Sequence, residues 1–251
     1  DSDGLNPKHY LAVELANEVV ALEQASGLDP MAATAFTQRL TAAMTQYLSD
    51  LALGRVAARE VYHDFDGAQA REFDAALELR RALDAGDISL AVKRARPTFP
   101  LYPALQAALV RYQSMSNDDA WSQPLPMPEG RKLEVGDVYP ALPILRQRLV
   151  LLGDLSSSVV GGDSYDAPMV AGVEAFQRRH GLTVDGIVGP KTLAALNVSP
   201  QERAQQIALS MERLRWTPLH QDDRLIVVNL PGFMLYGYEI NAQGEVDVKV
   251  E

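Results

Sequence analysis

Apolar residues recur at helical spacing through most of the chain up to Trp216. The pattern is clearest after Asp29-Pro30, a helix N-cap followed by a first-turn proline. The apolar residues that follow lie mostly three or four positions apart and predict one long helix: Phe36, Leu40, Ala43, Met44, Tyr47 and Leu48. Gly54 interrupts this helix. Further along the chain, helical spacing resumes and predicts helices near 71–85 and from Leu105.

After Pro218 the pattern changes from helical spacing to alternation. Residues 225–230 and 233–240 are apolar-rich runs separated by a Pro-Gly turn, and residues 245–251 alternate strictly between apolar and polar. Asn241-Ala-Gln-Gly244 predicts a hairpin turn between the last two runs. The C-terminus is therefore expected to form a short β-meander.

Two further segments are marked by proline. Pro124, Pro126 and Pro128 crowd residues 121–132 and predict an extended, semi-rigid linker. Ser199-Pro200 followed by Glu202 forms a capping box, so a helix is expected over 199–218 as a connection to the strands.

Composition and charge limit the classes of function. The chain has 251 residues, 47% of them hydrophobic, which is enough for two domains and part of a third. A formal net charge of −10 argues against nucleic-acid binding and against simple electrostatic docking on anionic membranes. The sequence contains no run of 18 apolar residues, so it predicts no membrane span. Because the chain starts at Asp1, we expect it to be processed or truncated.

The chain contains no cysteine, which excludes disulfides, zinc–thiolate sites and a thiol nucleophile from these residues. Neither a HExxH zinc motif nor a Gly-x-Ser-x-Gly nucleophile elbow occurs. Gly186-Ile-Val-Gly-Pro-Lys-Thr192 only mimics a phosphate-binding loop, because proline separates the last glycine from the lysine. We therefore predict no catalytic residue, no metal and no cofactor in this chain.

Residues 173–196 carry the most specific motif, which predicts a helix, a tight loop and a second helix. Asp166 can cap the first helix, and Gly181 stands where the chain must leave it through positive φ. Asp185-Gly186 is a turn pair, and Gly189-Pro190 opens the second helix.

Several dipeptides of this stretch resemble the second half of a peptidoglycan-binding domain of the small three-helix type. They occur in the same order with the same gaps: Phe176-Gln177, Gly181-Leu182, Asp185-Gly186, Gly189-Pro190 and Thr192-Leu193. The resemblance implies such a domain over 133–198, with peptidoglycan as its ligand.

Recognition of glycan and stem peptide needs hydrogen-bonding groups and an aromatic face, and arginine suits stem-peptide carboxylates. Within 133–198 the candidates for ligand contact are Arg146, Tyr165, Gln177, Arg178 and His180. Each has an alternative interpretation as an ordinary surface residue. His180 lies on the apolar stripe and can equally be a packed histidine.

Residues 47–56 and 100–112 resemble the scaffold domain of the large periplasmic L,D-transpeptidases, which implies a helical scaffold over 1–120. In that family the scaffold also precedes a peptidoglycan-binding domain. Met211-Glu-Arg-Leu-Arg-Trp216 resembles the segment that leads into the catalytic domain, so 219–251 are expected to be the first strands of an incomplete catalytic domain. The expected fold class is mainly α.

The resemblance implies a transferase that makes 3→3 peptidoglycan cross-links through an acyl-cysteine, in the periplasm, with roles in wall biogenesis and cell shape. It implies as partners glycan strands, stem peptides and other cell-wall synthesis proteins. This chain lacks the cysteine and should be inactive as given, so whether it belongs to an enzyme stays open.

Three alternatives remain at this point. The chain can be a complete, non-catalytic wall-binding or regulatory protein. Its scaffold can be a protein-interaction platform with the wall-binding-like domain as a spacer. The domain can also accompany a zinc hydrolase, although no ligand cluster in the sequence supports that.

Overall fold

The computed structural model describes residues 2–24, 29–61, 71–99, 101–158, 162–216, 224–229, 234–240 and 246–250. The fold is mainly α with a small antiparallel sheet at the C-terminus, as predicted. The helices are α1 (Ala12–Gln24), α2 (Pro30–Leu53), α3 (Ala58–Val61), α4 (Ala75–Asp84), α5 (Ser89–Ala95), α6 (Leu101–Ser114), α7 (Leu142–Leu151), α8 (Ala167–Arg179), α9 (Pro190–Asn197) and α10 (Pro200–Trp216). The strands are β1 (Arg224–Asn229), β2 (Met234–Ile240) and β3 (Val246–Val250), and short 3-10 helices cover Pro7–Tyr10, Asp119–Trp121 and Glu129–Arg131.

The chain divides into two compact units. The first combines Asp1–Val110 with Gln205–Glu251, and the second is Arg111–Ala204. The second unit is thus inserted into the sequence of the first. This division differs from the expected boundaries, because most of α10 belongs with the scaffold and the proline-rich segment belongs with the wall-binding-like domain.

Helix boundaries follow from local capping. Asp29 accepts the amide of Met31 at 3.0 Å and opens α2, as its sequence predicts. The helix predicted near 71–85 begins later, at Ala75, because the side chain of Asp74 accepts the amide of Leu77 at 3.0 Å. Helix α6 begins before Leu105, at Leu101, because proline is tolerated in a first turn.

The core of the first unit packs the end of α2 against α4 and α5. Its buried residues are Leu5, Tyr10, Leu48, Leu51, Ala52, Ala75, Leu79, Ala82, Ala91 and Ala95. Beyond this core, α1 and the first half of α2 expose many apolar side chains.

A buried polar network holds the N-terminal residues in place. Arg96 donates to both carboxylate oxygens of Asp3, at 3.0 and 2.9 Å. Gln106 donates to the same carboxylate at 2.8 Å. Arg215, near the end of α10, donates to the Asp3 carbonyl oxygen and, at 2.9 Å, to the hydroxyl of Tyr102. Helix α10 is thereby fixed to the scaffold by charge-assisted hydrogen bonds.

The strands form one antiparallel sheet in the order β1-β2-β3. Val228 stands opposite Leu235, and Leu225 opposite Tyr238. Tyr238 is buried against the ring of Phe99, edge to face, with 5.8 Å between the centroids. The sheet is therefore attached to the scaffold. The predicted turns at 231–232 and 241–244 lie outside the described residues.

The second unit has its own core around α7, α8 and α9. Its buried residues include Leu142, Leu145, Leu149, Met169, Val173, Phe176, Leu193 and Leu196. Residues 121–132, expected to be a linker, contribute to this core as well: Leu125 is only 3% exposed. Its amide donates to Asn197 Oδ1 at 2.8 Å.

Arg148 of α7 is the largest fully buried side chain of the second unit. Its guanidinium donates to the carbonyl oxygens of Ala120 at 2.8 Å, Gln123 at 2.7 Å and Leu196 at 2.9 Å. A buried charge is tolerated when its donors are satisfied in this way. Arg148 therefore joins the segment before α7 to the end of α9.

Among the described helices, no helix has the length and apolar character that crossing a bilayer requires.

Candidate wall-binding surface

Gln177 organises the loop between α8 and α9. Its Oε1 accepts the amides of Asp185 at 3.1 Å and Gly186 at 2.9 Å. Its Nε2 donates to Asp185 Oδ1 at 2.8 Å and to the Ile187 carbonyl oxygen at 3.0 Å. The side chain is 1% exposed, so its amide supports the loop and has no exposed atom for a ligand.

The Tyr165 side chain lies in the core of the second unit rather than on its surface. It is fully buried, and its hydroxyl donates to the carbonyl oxygen of Gly186 at 2.6 Å. Burial raises the pKa of Tyr165 above its usual range. Tyr165 and Gln177 are predicted ligand contacts, and in the structure both side chains hold the Asp185-Gly186 turn. Sequence alone could not separate the two roles, because hydrogen-bonding and aromatic side chains serve both.

Gly186 shows how tightly this turn is packed. Its φ is +68°, and a Cβ placed on it would lie 2.5 Å from Val170 Cγ1. Glycine is therefore required both by backbone conformation and by the close approach of α8.

Arg146, the third predicted residue, lies on α7 and is partly exposed. It donates to the Gly162 carbonyl oxygen at 3.0 Å. Its Nε is buried without a hydrogen-bond partner. Arg146 therefore contacts Gly162 through Nη2, while its buried Nε is not accessible to a ligand.

Arg178 and His180, the last two predicted residues, lie at the end of α8. Arg178 is exposed. His180 is half-buried, stacks on Phe176 with 4.0 Å between centroids, and contacts the Phe176 carbonyl oxygen through Nδ1 at 2.9 Å. Burial lowers the pKa of His180, the Phe176 carbonyl opposes this, and the charges of Arg179 and Arg203 lower it further. His180 is thus a packed histidine with one exposed edge.

Arg179, between them, was not predicted. Its Nε and Nη2 donate to the two oxygens of Asp154 at 3.1 and 2.5 Å, and its Nη1 donates to the hydroxyl of Tyr112 at 3.2 Å. The Asp154 side chain is only 6% exposed. This bidentate pair fixes Arg179 against Tyr112.

Two more arginines reach the ends of neighbouring helices. Arg111 donates to the carbonyl oxygen of Leu151 at 3.2 Å, where α7 ends. Arg203 donates to the carbonyl oxygen of Ala195 at 3.2 Å, in the last turn of α9. Cations at helix C-termini are favoured by the unpaired carbonyls and by the helix dipole.

We name these residues the helix-end cluster: Arg111, Tyr112, Arg178, Arg179, His180 and Arg203. It gathers four arginines and a histidine on a chain whose formal net charge is −10. A single sequence gives little signal for it, because Arg179 and Tyr112, which contact each other, are 67 positions apart.

Within the described ranges, no group of three or more His, Cys, Asp or Glu side chains is placed to hold a metal ion.

Two comparisons bear on identity. Residues 1–109 match the family model described as "Scaffold domain". Residues 139–196 match the family model described as "Putative peptidoglycan binding domain", and this range covers α7, α8 and α9. No curated protein matches the chain. Together the two matches support a cell-wall-associated protein with a peptidoglycan-binding domain in its second unit.

Proposed function

We propose that this chain is the wall-binding and scaffolding part of a periplasmic L,D-transpeptidase that makes 3→3 peptidoglycan cross-links. The observation that carries the proposal is the order of its parts. A scaffold match is followed by a peptidoglycan-binding match, and then by a helix and antiparallel strands. The same order characterises the family that the sequence resembles.

Each part has a role that its contacts support. The second unit binds wall polymer through its exposed surface. The first unit holds the strands, because Tyr238 packs on Phe99 and Arg215 fixes α10 to Asp3 and Tyr102. The 251 residues contain no cysteine, so the acyl-transfer step is not assigned to them.

Wall binding is tested by sedimenting the protein with purified sacculi. We expect most of the chain in the pellet at low ionic strength. If all of the protein stays in the supernatant, the proposed wall binding is wrong.

The link to cross-linking is tested in cells. Overexpression of the gene that encodes this chain should raise the fraction of 3→3 dimers among the muropeptides released by muramidase. An unchanged muropeptide profile, with the protein present in the envelope, would contradict the transpeptidase assignment.

One observation favours a second candidate function, a protein-interaction platform. Helices α1 and α2 enclose an apolar groove with a cavity volume of about 440 Å³. Eleven uncharged residues line it: Pro7, Tyr10, Ala12, Leu15, Ala16, Val19, Phe36, Leu40, Ala43, Met44 and Tyr47. Most of these residues belong to α1 and α2, and an apolar groove between two helices suits a third helix packed along it.

Charge identifies the kind of helix that fits. Exposed Glu23 continues the groove-lining face of Ala12, Ala16 and Val19 along α1. Elsewhere on the two helices, Glu18 of α1 pairs with Arg39 of α2. The groove therefore suits an amphipathic partner helix with an apolar stripe and a basic residue that meets Glu23.

A synthetic helix with a leucine stripe and terminal lysines serves as the probe. It should bind, and Glu23→Lys should transfer the preference to a matched peptide with glutamates. This second function is rejected if the two peptides bind equally or if neither binds. It is also rejected if self-association of the protein blocks the groove.

A further inference from the structure

The first unit carries a second groove, which lies along one face of α10 and has a cavity volume of about 410 Å³. Four residues of α10 at helical spacing line it: Gln205, Ala208, Leu209 and Glu212. Residues 4–6, Arg55 and Val56 complete the lining. All of these residues belong to the first unit. We call this cavity the α10 groove.

The apolar part of the α10 groove is open to solvent. Leu5 is buried, but Val56 is exposed and Leu209 is 60% exposed. Apolar side chains that line a groove and remain in contact with water gain free energy when another apolar group covers them. The α10 groove can therefore accept an apolar side chain.

Glu212, one of the two charged residues in the lining, is already engaged. Its Oε1 accepts the amides of Arg55 at 2.5 Å and Val56 at 3.0 Å. Its Oε2 accepts Nη1 of Arg215 at 2.8 Å, and this arginine side chain is only 1% exposed. Both carboxylate oxygens therefore have structural partners. The two amide contacts also place Arg55 at the Glu212 end of the groove.

Arg55, the other charged residue, is exposed, and its guanidinium has no hydrogen bond or ion pair with the residues that the structure describes. Asp50, at the end of α2, instead accepts the hydroxyl of Tyr10 at 2.8 Å and Nε2 of Gln46 at 2.6 Å. Burial and Asp50 raise the pKa of Tyr10, and the charge of Arg55 lowers it. Arg55 thus brings a positive charge to the groove without a carboxylate partner.

Side-chain amides supply the remaining polar groups. Exposed Gln205 makes no side-chain hydrogen bond within the described part of the chain. Asn6 accepts the Lys8 amide through Oδ1 at 3.1 Å. Gln205 lies seven residues before Glu212, roughly 10 Å along the helix axis, which equals about three residues of extended peptide. Amides match the donors and acceptors of a peptide backbone, which a fatty acid lacks.

We propose that the α10 groove binds the C-terminal end of a partner polypeptide whose last residue is apolar. Arg55 pairs with the terminal carboxylate, because a guanidinium matches its two oxygens. The last side chain packs against Val56 and Leu209, and Gln205 bonds the backbone of the preceding residues. A C-terminal residue combines a carboxylate and an apolar side chain at the short spacing that this groove requires. Such binding goes beyond wall binding, which is assigned to the second unit.

Fluorescence anisotropy with the full chain tests this proposal. The labelled probes are a short peptide that ends in leucine with a free carboxylate, the same peptide with an amidated C-terminus, the same peptide ending in glycine, and dodecanoic acid. We expect the first probe to bind at least about tenfold more tightly than each of the others.

Variants assign the contacts. Arg55→Gln should weaken binding of the leucine peptide by about tenfold or more, because the charge that meets its carboxylate is lost. Leu209→Gln should weaken it by about fivefold or more and should leave the fold intact, because Leu209 is mostly exposed. Arg80→Gln is the matched control. It removes the same charge from exposed Arg80 on α4, which does not line the groove, and should change affinity less than about twofold.

Several results would overturn the proposal. Equal binding of the amidated peptide, equal affinity of the Arg55→Gln protein, or no binding of the leucine peptide would each do so. Tighter binding of dodecanoic acid would assign the groove to a lipid instead. Because the groove belongs to the first unit, the Arg55→Gln protein should sediment with sacculi as the wild type does. Failure of this inference is therefore distinguishable from failure of wall binding.

Discussion

The side chain of Asn197 pairs with the main chain of Leu125 in both directions. The Leu125 amide donates to Oδ1 at 2.8 Å, and Nδ2 donates to the Leu125 carbonyl oxygen at 3.0 Å. Arg148 donates to the same Oδ1 at 2.8 Å. The last residue of α9 thus binds the proline-rich segment as a neighbouring strand would.

Replacing Asn197 should destabilise the second unit. Asn197→Ala leaves the Leu125 amide and one Arg148 donor without their partner, and should lower the free energy of unfolding by about 1–3 kcal/mol. Urea titration followed by Trp121 fluorescence measures this. Asn197→Asp keeps both acceptor contacts but places a carboxylate oxygen against the Leu125 carbonyl oxygen, so it should also lose stability. Unchanged stability of both variants would contradict the hydrogen-bond explanation.

Two glycines with similar backbone conformations should respond differently to alanine. Gly181 has φ +64° with nothing within 4 Å of a built Cβ, so Gly181→Ala should cost about 1–2 kcal/mol of strain. Gly186 has φ +68° and would also bring its Cβ to 2.5 Å from Val170 Cγ1, so its alanine variant should cost about 1–3 kcal/mol more. Thermal unfolding of the pair measures the difference, and equal losses would show that packing at Gly186 is not limiting.

His180 should make stability depend on pH. Its pKa in the folded unit lies below the usual 6.5, mainly because of burial. At a pH near 6.5, His180 is therefore more often protonated in the unfolded chain than in the folded chain. As a result, the free energy of unfolding falls as pH decreases below about 6.5. His180→Phe keeps the ring stack and cannot titrate, so its stability should decline less between pH 7.5 and pH 5. Parallel pH profiles for the two proteins would contradict this assignment.

The first unit should survive removal of the second. A Cβ placed on Gly4 would lie 3.0 Å from Cβ of Ala208 and 3.6 Å from Cδ2 of Leu109, so the chain leaves and re-enters the first unit at neighbouring points. Joining residue 110 to residue 205 through a short Gly-Ser linker should give a helical protein that unfolds cooperatively. Circular dichroism measures this, and a non-cooperative, ANS-binding product would show that the scaffold depends on the inserted unit.

Local chemistry made much of this fold predictable. The caps at Asp29 and Asp166 and the exit at Gly181 act within a few residues, so a single sequence contains their whole signal. The alternation after Pro218 likewise predicted strands, because side-chain direction alternates along the backbone.

Long-range partners were not predictable in the same way. Arg146 and Arg148 look alike in Leu145-Arg-Gln-Arg-Leu149, yet Arg148 is 1% exposed and Arg146 is not buried. The carbonyls that bind Arg148 lie 25 to 48 positions away. Proline content predicted an extended segment at 121–132 and could not predict what it packs against.

The candidate site was predictable only in part. Arg178 and His180 were named from chemistry, while Arg179 and Arg203 were missed because no motif links positions on α8 and α10. Gln177 and Tyr165 have the right chemistry for a ligand and use it inside the turn instead.

The central claim is that the second unit binds the cell wall, and one co-sedimentation experiment tests it most directly. The full chain and the shortened chain lacking residues 111–204 are each mixed with purified sacculi, and the pelleted fraction is measured. We predict that the full chain pellets and that the folded, shortened chain remains in the supernatant. Equal pelleting of both proteins, or retention of both in solution, would contradict the account.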